Sequence, residues 1–272
     1  MRFSRVFFIS IILNFYLPFA AYSGSPENGL IAYWNFHEAS GEIAKDISGH
    51  GNDGHIYGAK RIPVRNGFAL QFDGHKDYIL INKSPLFNFG KNDFAIEMTI
   101  KPNDLTQGST LITGGGAYGL IIRVGGEYSD KVIMFVNNWD TYRYSGAGAL
   151  KLGYWNHVVF VKKGENIDCY IDGKISNGST TVIPSSLNSL GNLNIGGSEG
   201  YGYFKGIIGE VKLYNLALTA EEIKTIYQKL PFPIYLKYAN NLIKKILKYL
   251  FLAAMIAFVI YMRIVWTRDE ID

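Results

Sequence analysis

One stretch, YFKGIIGEVKLYNLALTAEEIKTIY from Tyr203 to Tyr227, restricts the possible folds of this chain more than any other, because it joins a β-strand directly to a capped short helix. Val211 and Leu213 alternate with Glu210, Lys212 and Tyr214, the period-2 pattern of a strand buried on one side. Thr219 stands where a helix N-cap belongs, with Glu222 three residues on to complete a capping box. Leu218 and Ile223 occupy the two positions of a hydrophobic staple. Glu221 and Glu222 then suit the positive end of the helix dipole and need no catalytic explanation.

The same stretch resembles the close of the laminin G-like and concanavalin A-like lectin domains, the superfamily that also holds the pentraxins. Further segments carry the resemblance in the family's order. GLIAYWNFHEASGEIAKDISGHGNDGHIYGAKRI (Gly29 to Ile62) is similar to the opening, an aromatic strand followed by a D-x-S-G-x-G-N-x-G loop. ALQFDGHKDYILI (Ala69 to Ile81), FAIEMTIKP (Phe94 to Pro102) and WNHVVFVKKGENIDCYIDGK (Trp155 to Lys174) follow. The resemblance implies an all-β, two-sheet antiparallel jelly-roll sandwich with a short C-terminal capping helix.

Composition agrees with one such domain. Of 272 residues, 30 are glycine, 40 are Phe, Trp or Tyr and only 8 are proline, which suits many short strands and tight turns. The formal charge of +4 is concentrated at the ends, since residues 1–23 carry +2 and residues 235–272 carry +3. About −1 remains for the middle, so the domain has no basic footprint for nucleic acid. Cys169 is the only cysteine and alternates with Ile167 and Ile171, which reads as a buried thiol rather than a redox centre.

Both termini point to a membrane. Met1 to Ser23 has Arg2 and Arg5, an apolar run from Val6 to Leu17 and small residues at Ala20, Ala21 and Ser23, the layout of a secretory signal peptide. An uncleaved signal anchor is the alternative. The sandwich is expected over residues 24–230, a linker with a basic amphipathic segment over 231–248, a transmembrane helix over 249–266 and a short cytoplasmic tail over 267–272. A helix from Tyr249 to Trp266 would rise about 27 Å, just short of a hydrocarbon core of about 30 Å, with Lys248 and Arg263 snorkelling to the interfaces. An interfacial helix, with Leu242, Ile246 and Leu250 on one apolar face, is the alternative. The lysine cluster on the outer side runs against the positive-inside bias, and the signal peptide is given precedence. The domain is therefore expected outside the cell membrane, extracellular or periplasmic, on a single-pass anchor.

Catalytic constellations are sparse. No E-x-D-x-x-E run supplies paired acids, and Asp168 and Asp172 read as strand and turn positions ending in Asp172-Gly173. His37-Glu38 lacks a second histidine at Gly41, while His50, His55 and His157 assemble no recognisable site. The chain is expected not to be an enzyme, with a glycan hydrolase or lyase as the remote alternative.

Two binding sites are expected. Asp46, Ser48 and Asn52 share a glycine-rich loop, and the resemblance implies a structural Ca²⁺ at the sandwich edge that Asp77 or Glu210 would complete. The alternative is that Asp46 and Asn52 merely fix turns. For carbohydrate, flat aromatic faces beside amides and carboxylates are the useful parts. Asn137, Trp139, Asp140, Tyr142 and Tyr144 offer these in one segment, and Glu199, Tyr201 and Tyr203 form a possible opposite wall. The alternative is that these aromatics pack a sheet face. The expected partner is thus a glycan, or a cell-surface protein if the aromatics are buried.

Overall fold

A computed structural model of the chain describes residues 28–230 apart from 116–118, 129, 137, 146–148, 181–186 and 188, together with helical residues 245–252 and 255–257. For 128, 138–145, 179 and 180 it describes the backbone. In chain order the strands are β1 (Leu30–Trp34), β2 (Ile43–Ala44), β3 (Gly54–Tyr57), β4 (Lys60–Val64), β5 (Gly67–Asp73), β6 (Tyr78–Ile81) and β7 (Phe94–Pro102). Then come β8 (Ser109–Gly114), β9 (Leu120–Val124), β10 (Val132–Val136), β11 (Asn138–Ser145), β12 (Asn156–Lys163), β13 (Asn166–Ile171), β14 (Lys174–Ile175) and β15 (Asn177–Thr180). The last are β16 (Leu193–Ile195), β17 (Gly197–Ser198), β18 (Gly202–Tyr203) and β19 (Lys205–Tyr214), before one helix, α1 (Ala220–Lys229).

The strands form two sheets. The first runs β14-β13-β12-β7-β19-β5-β4. Its long strand β19 pairs with β7 on one side, and on the other with β5 through Lys205–Ile208 and with β1 through Val211–Tyr214. The second runs β15-β11-β10-β9-β8-β16-β6-β3-β2, with the β17–β18 hairpin attached to β8. Among the described residues the strand pairings are antiparallel except the contact of Tyr203 with Thr110. This is the expected two-sheet sandwich.

Alternation places the core between the sheets. Phe94, Ile96, Met98 and Ile100 of β7, Val158 and Phe160 of β12, and Val211 and Leu213 of β19 face Ile112, Ile122, Met134 and Ile195 of the second sheet. Each such side chain, fully buried, contributes about 1.5–3 kcal/mol. Cys169 lies in the same core between Ile167 and Ile171, as its alternation predicts.

The helix is capped as the sequence implies. The Glu222 N–H donates to Thr219 Oγ1 at 3.2 Å, and the Thr219 N–H donates to Glu222 Oε2 at 2.7 Å. Leu218, Ile223 and Ile226 pack with Ala95, Val159, Val161, Tyr170 and Tyr214 on the outer face of the first sheet. This corrects the expectation that β19 is buried on one side only. Lys212 and Tyr214, which mark its polar side in the sequence, are wholly buried.

Candidate functional site

The loop from Asp46 to Asp53 is held by its own backbone. Asp46 Oδ1 accepts the N–H groups of Tyr33 (3.0 Å) and Ser48 (2.9 Å), and Oδ2 accepts the N–H (2.9 Å) and Nδ2 (3.0 Å) of Asn52. Asn52 donates further to the Ile31 carbonyl, and its own carbonyl accepts Trp34 Nε1 at 2.8 Å. Partial burial would raise the Asp46 carboxyl, but donors from Ser48, Tyr33 and Asn52 outweigh it and hold it below the usual aspartate range. The loop thus positions the buried indole of Trp34.

These residues do not fit calcium. A Ca²⁺ cage needs carboxylate oxygens turned to the ion, whereas both oxygens of Asp46 already face N–H donors. Neither Asp77 nor Glu210 stands free beside this loop. Asp46 lies by the β2 end of β3, opposite Asn52, while Asp77 packs against Gly58 beyond the other end, about 13 Å along the strand at ~3.3 Å per residue. Asp77 accepts the Asp73 N–H at 2.8 Å, and burial raises its pKa. Glu210 is engaged elsewhere, by a lysine and a tyrosine. Among the described residues no three His, Cys, Asp or Glu gather as a metal group. In this arrangement Asp46, Ser48 and Asn52 fix a turn, the alternative role for this loop.

Glu210 belongs to a charged cluster that the sequence reading missed. Lys212 Nζ donates to Glu97 Oε1 at 3.0 Å and to Glu210 Oε1 at 3.3 Å. The hydroxyl of Tyr214 donates to Glu97 Oε2 at 2.9 Å, and that of Tyr33 to Glu210 Oε2 at 2.8 Å. His157 Nε2 lies 3.4 Å from Glu97 Oε1, and its ring stacks on Tyr227 of α1 at 5.9 Å. Burial would push the Glu97 carboxyl up, but Lys212 and His157 beside it outweigh that and bring it down to about 2. Lys212 is raised well above its ordinary value, since Glu97 and Glu210 outweigh its burial. The sequence signal is a charge flanked by apolar neighbours within a strand, Glu97 between Ile96 and Met98 and Lys212 between Val211 and Leu213. With Glu97, Lys212 and the His157 side chain wholly enclosed beneath α1, the cluster locks the sheet.

The outer face of the second sheet carries a different surface. Ile121 of β9 and Ile133 and Phe135 of β10 form a small apolar cluster there, and Tyr201 packs against it. Register pairs Ile133 with Tyr144 and Phe135 with Tyr142, so positions 142 and 144 share this face. The register then jumps from Tyr142 to Asn138, which leaves Trp139, Asp140 and Thr141 on a bulge of β11. Tyr201 follows Glu199, which is exposed at the turn between β17 and β18, and Tyr203 lies on β18 over Gly197. The Tyr201 carbonyl accepts Thr110 Oγ1 at 2.8 Å, tying this hairpin to β8. The structure thus brings Tyr201 and the backbone positions of Tyr142 and Tyr144 to one face, with Glu199 and Tyr203 on the adjoining hairpin. Asn137 lies outside the described residues.

Two antiparallel sheets packed face to face, one sealed by a helix and the other with aromatic residues on its outer side, define a jelly-roll sandwich of the lectin type. Residues 73–224, more than half of the chain, match the concanavalin A-like lectin/glucanases superfamily in its laminin G form, and the protein belongs to that superfamily. No curated protein matches it. Among solved structures it is similar to domain 4 of AbnA, a GH43 extracellular arabinanase from Geobacillus stearothermophilus, in complex with arabinotriose (18% identity, TM-score 0.58, 73% of this chain and 98% of that one). It is similar also to the binding domain of botulinum neurotoxin DC in complex with rat synaptotagmin II (16%, 0.59, 76% and 53%). A third is the Trypanosoma rangeli sialidase with the inhibitor DANA (21%, 0.55, 75% and 33%). The chain spans about half of the toxin fragment and a third of the sialidase. At these identities the likeness is one of fold.

Proposed function

We propose that this protein is a non-catalytic carbohydrate-binding or adhesion module, held at a membrane by its C-terminal helix with the sandwich on the extracytoplasmic side. The observation that carries the reading is the outer face of the second sheet, where Tyr201 packs on Ile121, Ile133 and Phe135 beside the positions of Tyr142 and Tyr144. Flat aromatic faces next to a carboxylate such as Glu199 suit the C–H faces and hydroxyls of a sugar. The arabinanase domain of the same fold, solved with arabinotriose, lends support. A non-catalytic reading is favoured because Glu97 and Glu210 are bridged by Lys212 and Glu97 is enclosed, so they are not poised as acid and nucleophile.

Membrane tethering rests on the exposed apolar side chains of Ile246, Leu247, Leu250, Phe251 and Leu252 along the helical residues 245–252. Among the described residues no helix is long and apolar enough to cross a membrane, and most of 249–266, like the signal-peptide segment 1–23, lies outside them. A protein partner is the second reading, favoured by the toxin domain of this fold solved with synaptotagmin II.

The test is a glycan array probed with the full-length chain in detergent, with calcium and again with a chelator. We expect glycan binding under both conditions and a loss of about tenfold or more in Trp139→Ala. A folded chain that binds no glycan removes the carbohydrate reading and leaves the protein partner.

A further inference from the structure

The sandwich displays its most exposed apolar side chains at one end, the end from which the chain leaves it. α1 runs back along the first sheet from the Tyr214 end of β19 and stops at Lys229, with Tyr227 packed against Gly173 in the β13–β14 turn. Leu230 follows, so the polypeptide departs for its C-terminal helical residues beside that turn. Asp172 of the turn accepts the His157 N–H at 3.1 Å and pairs with Lys151 Nζ at 3.6 Å, which holds the turn of residues 151–155 next to it. Register agrees, since β7, β12 and β13 bring Ile100, Asn156 and Ile171 to this same end. Among the described residues of the sandwich the three most exposed large apolar side chains stand here: Leu152 (54%) and Tyr154 (66%) on the 151–155 turn and Ile175 (60%) on β14.

The 151–155 turn is firmly built. Asn156, itself buried, accepts the Lys151 N–H at 2.8 Å and donates to the carbonyls of Lys151 (3.1 Å) and Tyr154 (2.7 Å). The Gly153 N–H reaches the Pro102 carbonyl at 2.7 Å. This frame presents Leu152 and Tyr154 to solvent instead of folding them under. Single exposed apolar residues are ordinary on a protein surface, but three on adjoining turns mark a contact. Lys151 and Lys174 flank them in sequence and Lys229 ends α1 beside them, all exposed, while the one acid of the two turns, Asp172, is already paired. Apolar tips with a tyrosine and lysines suit the boundary of a bilayer, where acyl carbon, water and anionic headgroups meet within a side chain's length.

We propose that this end of the sandwich docks on the lipid surface that holds the C-terminal helix, with Leu152, Tyr154 and Ile175 entering the boundary between headgroups and acyl chains. The inference rests on the membrane-tethered reading and adds to it the orientation of the domain. Residues 231–244 connect the sandwich to the described helix, and so short a link raises the effective concentration of the turns at the bilayer to about the millimolar range. A weak contact is then enough. The strands of the first sheet stand steeply on the membrane, and the outer face of the second sheet stays open to a ligand from the side.

The experiment places the full-length chain on phosphatidylcholine vesicles containing phosphatidylglycerol, after flotation has shown that it is bound. A nitrobenzoxadiazole fluorophore is attached to Leu152→Cys, to Ile175→Cys or, as a control, to Glu165→Cys in the exposed β12–β13 turn at the far end of the same strands. Cys169 is wholly buried and does not compete for the label. On vesicles the labels at positions 152 and 175 are expected to shift to the blue and to lose iodide quenching severalfold, while the label at 165 keeps its quenching. Leu152→Ser with Tyr154→Ser should return the label at 175 to full quenching without releasing the chain from the vesicles. A chain that floats with all three labels equally quenched overturns the docking and leaves the tether standing. Protection that appears in detergent as well, and grows with protein concentration, assigns this end to a second copy and overturns the docking too. A chain that does not float overturns both.

Discussion

Glu97 stays ionised although its side chain is wholly enclosed, because Lys212, Tyr214 and His157 replace the water it loses. Its folded carboxyl titrates at about 2 against an ordinary 4.5, so the stabilisation is complete above about pH 4.5 and disappears as pH falls towards 2. Glu97→Gln is expected to destabilise the domain by about 3–5 kcal/mol, since the buried Lys212 ammonium keeps Glu210 but loses the closer carboxylate, and to flatten the acid limb of stability between those values. Denaturant melts across that pH range check both. Asp46 acts in the same direction by other means, its carboxylate gathering N–H donors rather than a cation. Asp46→Ala should cost about 1–3 kcal/mol, while calcium and chelator leave the melting temperature of the wild type unchanged. A rise with calcium would overturn the assignment of this loop to turn-fixing.

At the scale of elements, α1 takes the outer face of β7, β12 and the end of β19 away from solvent. Its cap is local: Thr219→Ala should cost about 1 kcal/mol, because it removes the acceptor of the Glu222 N–H. Its packing is not local, and Ile223→Ala should cost about 2–5 kcal/mol by opening a cavity over Val159 and Tyr214. Urea titrations of the two variants should therefore rank Ile223→Ala as the more damaging. The β13–β14 turn prepares the same docking. Asp172 and Gly173 have φ of 52° and 73°, the left-handed pair of a type I′ hairpin, and a side chain at Gly173 would meet the Tyr227 ring of α1.

Across the whole molecule the two sheets divide the work. The first has its inner face on the core and the outer face of β7, β12 and the end of β19 under α1, where the buried charges lie. The second has its outer face free of any described helix, with aromatic residues at both ends of it. Ligand binding is accordingly expected to slow hydrogen exchange in β10 and β11 and to leave β7 and β12 unchanged. The exposed apolar residues of 245–252 act at this scale too. The full-length chain should float with phospholipid vesicles, and serine at Leu250, Phe251 and Leu252 together should weaken that association.

Much of this architecture is written in local pattern. The capping box at Thr219, the staple of Leu218 and Ile223, the buried alternation around Cys169 and the Asp172-Gly173 turn depend on neighbours a few residues apart, so the sequence alone determines them. The order of the strand motifs carries the superfamily as well. Partnership between distant residues is another matter. Glu97 and Lys212 are 115 positions apart and meet only because β7 pairs with β19, and their alternation reads as solvent-facing until α1 folds over it. The acidic loop at Asp46 looks like a cation site in one dimension, because composition shows its oxygens but not the N–H groups that surround them. Tertiary structure decides such questions, since burial and hydrogen-bond direction are properties of the space between elements.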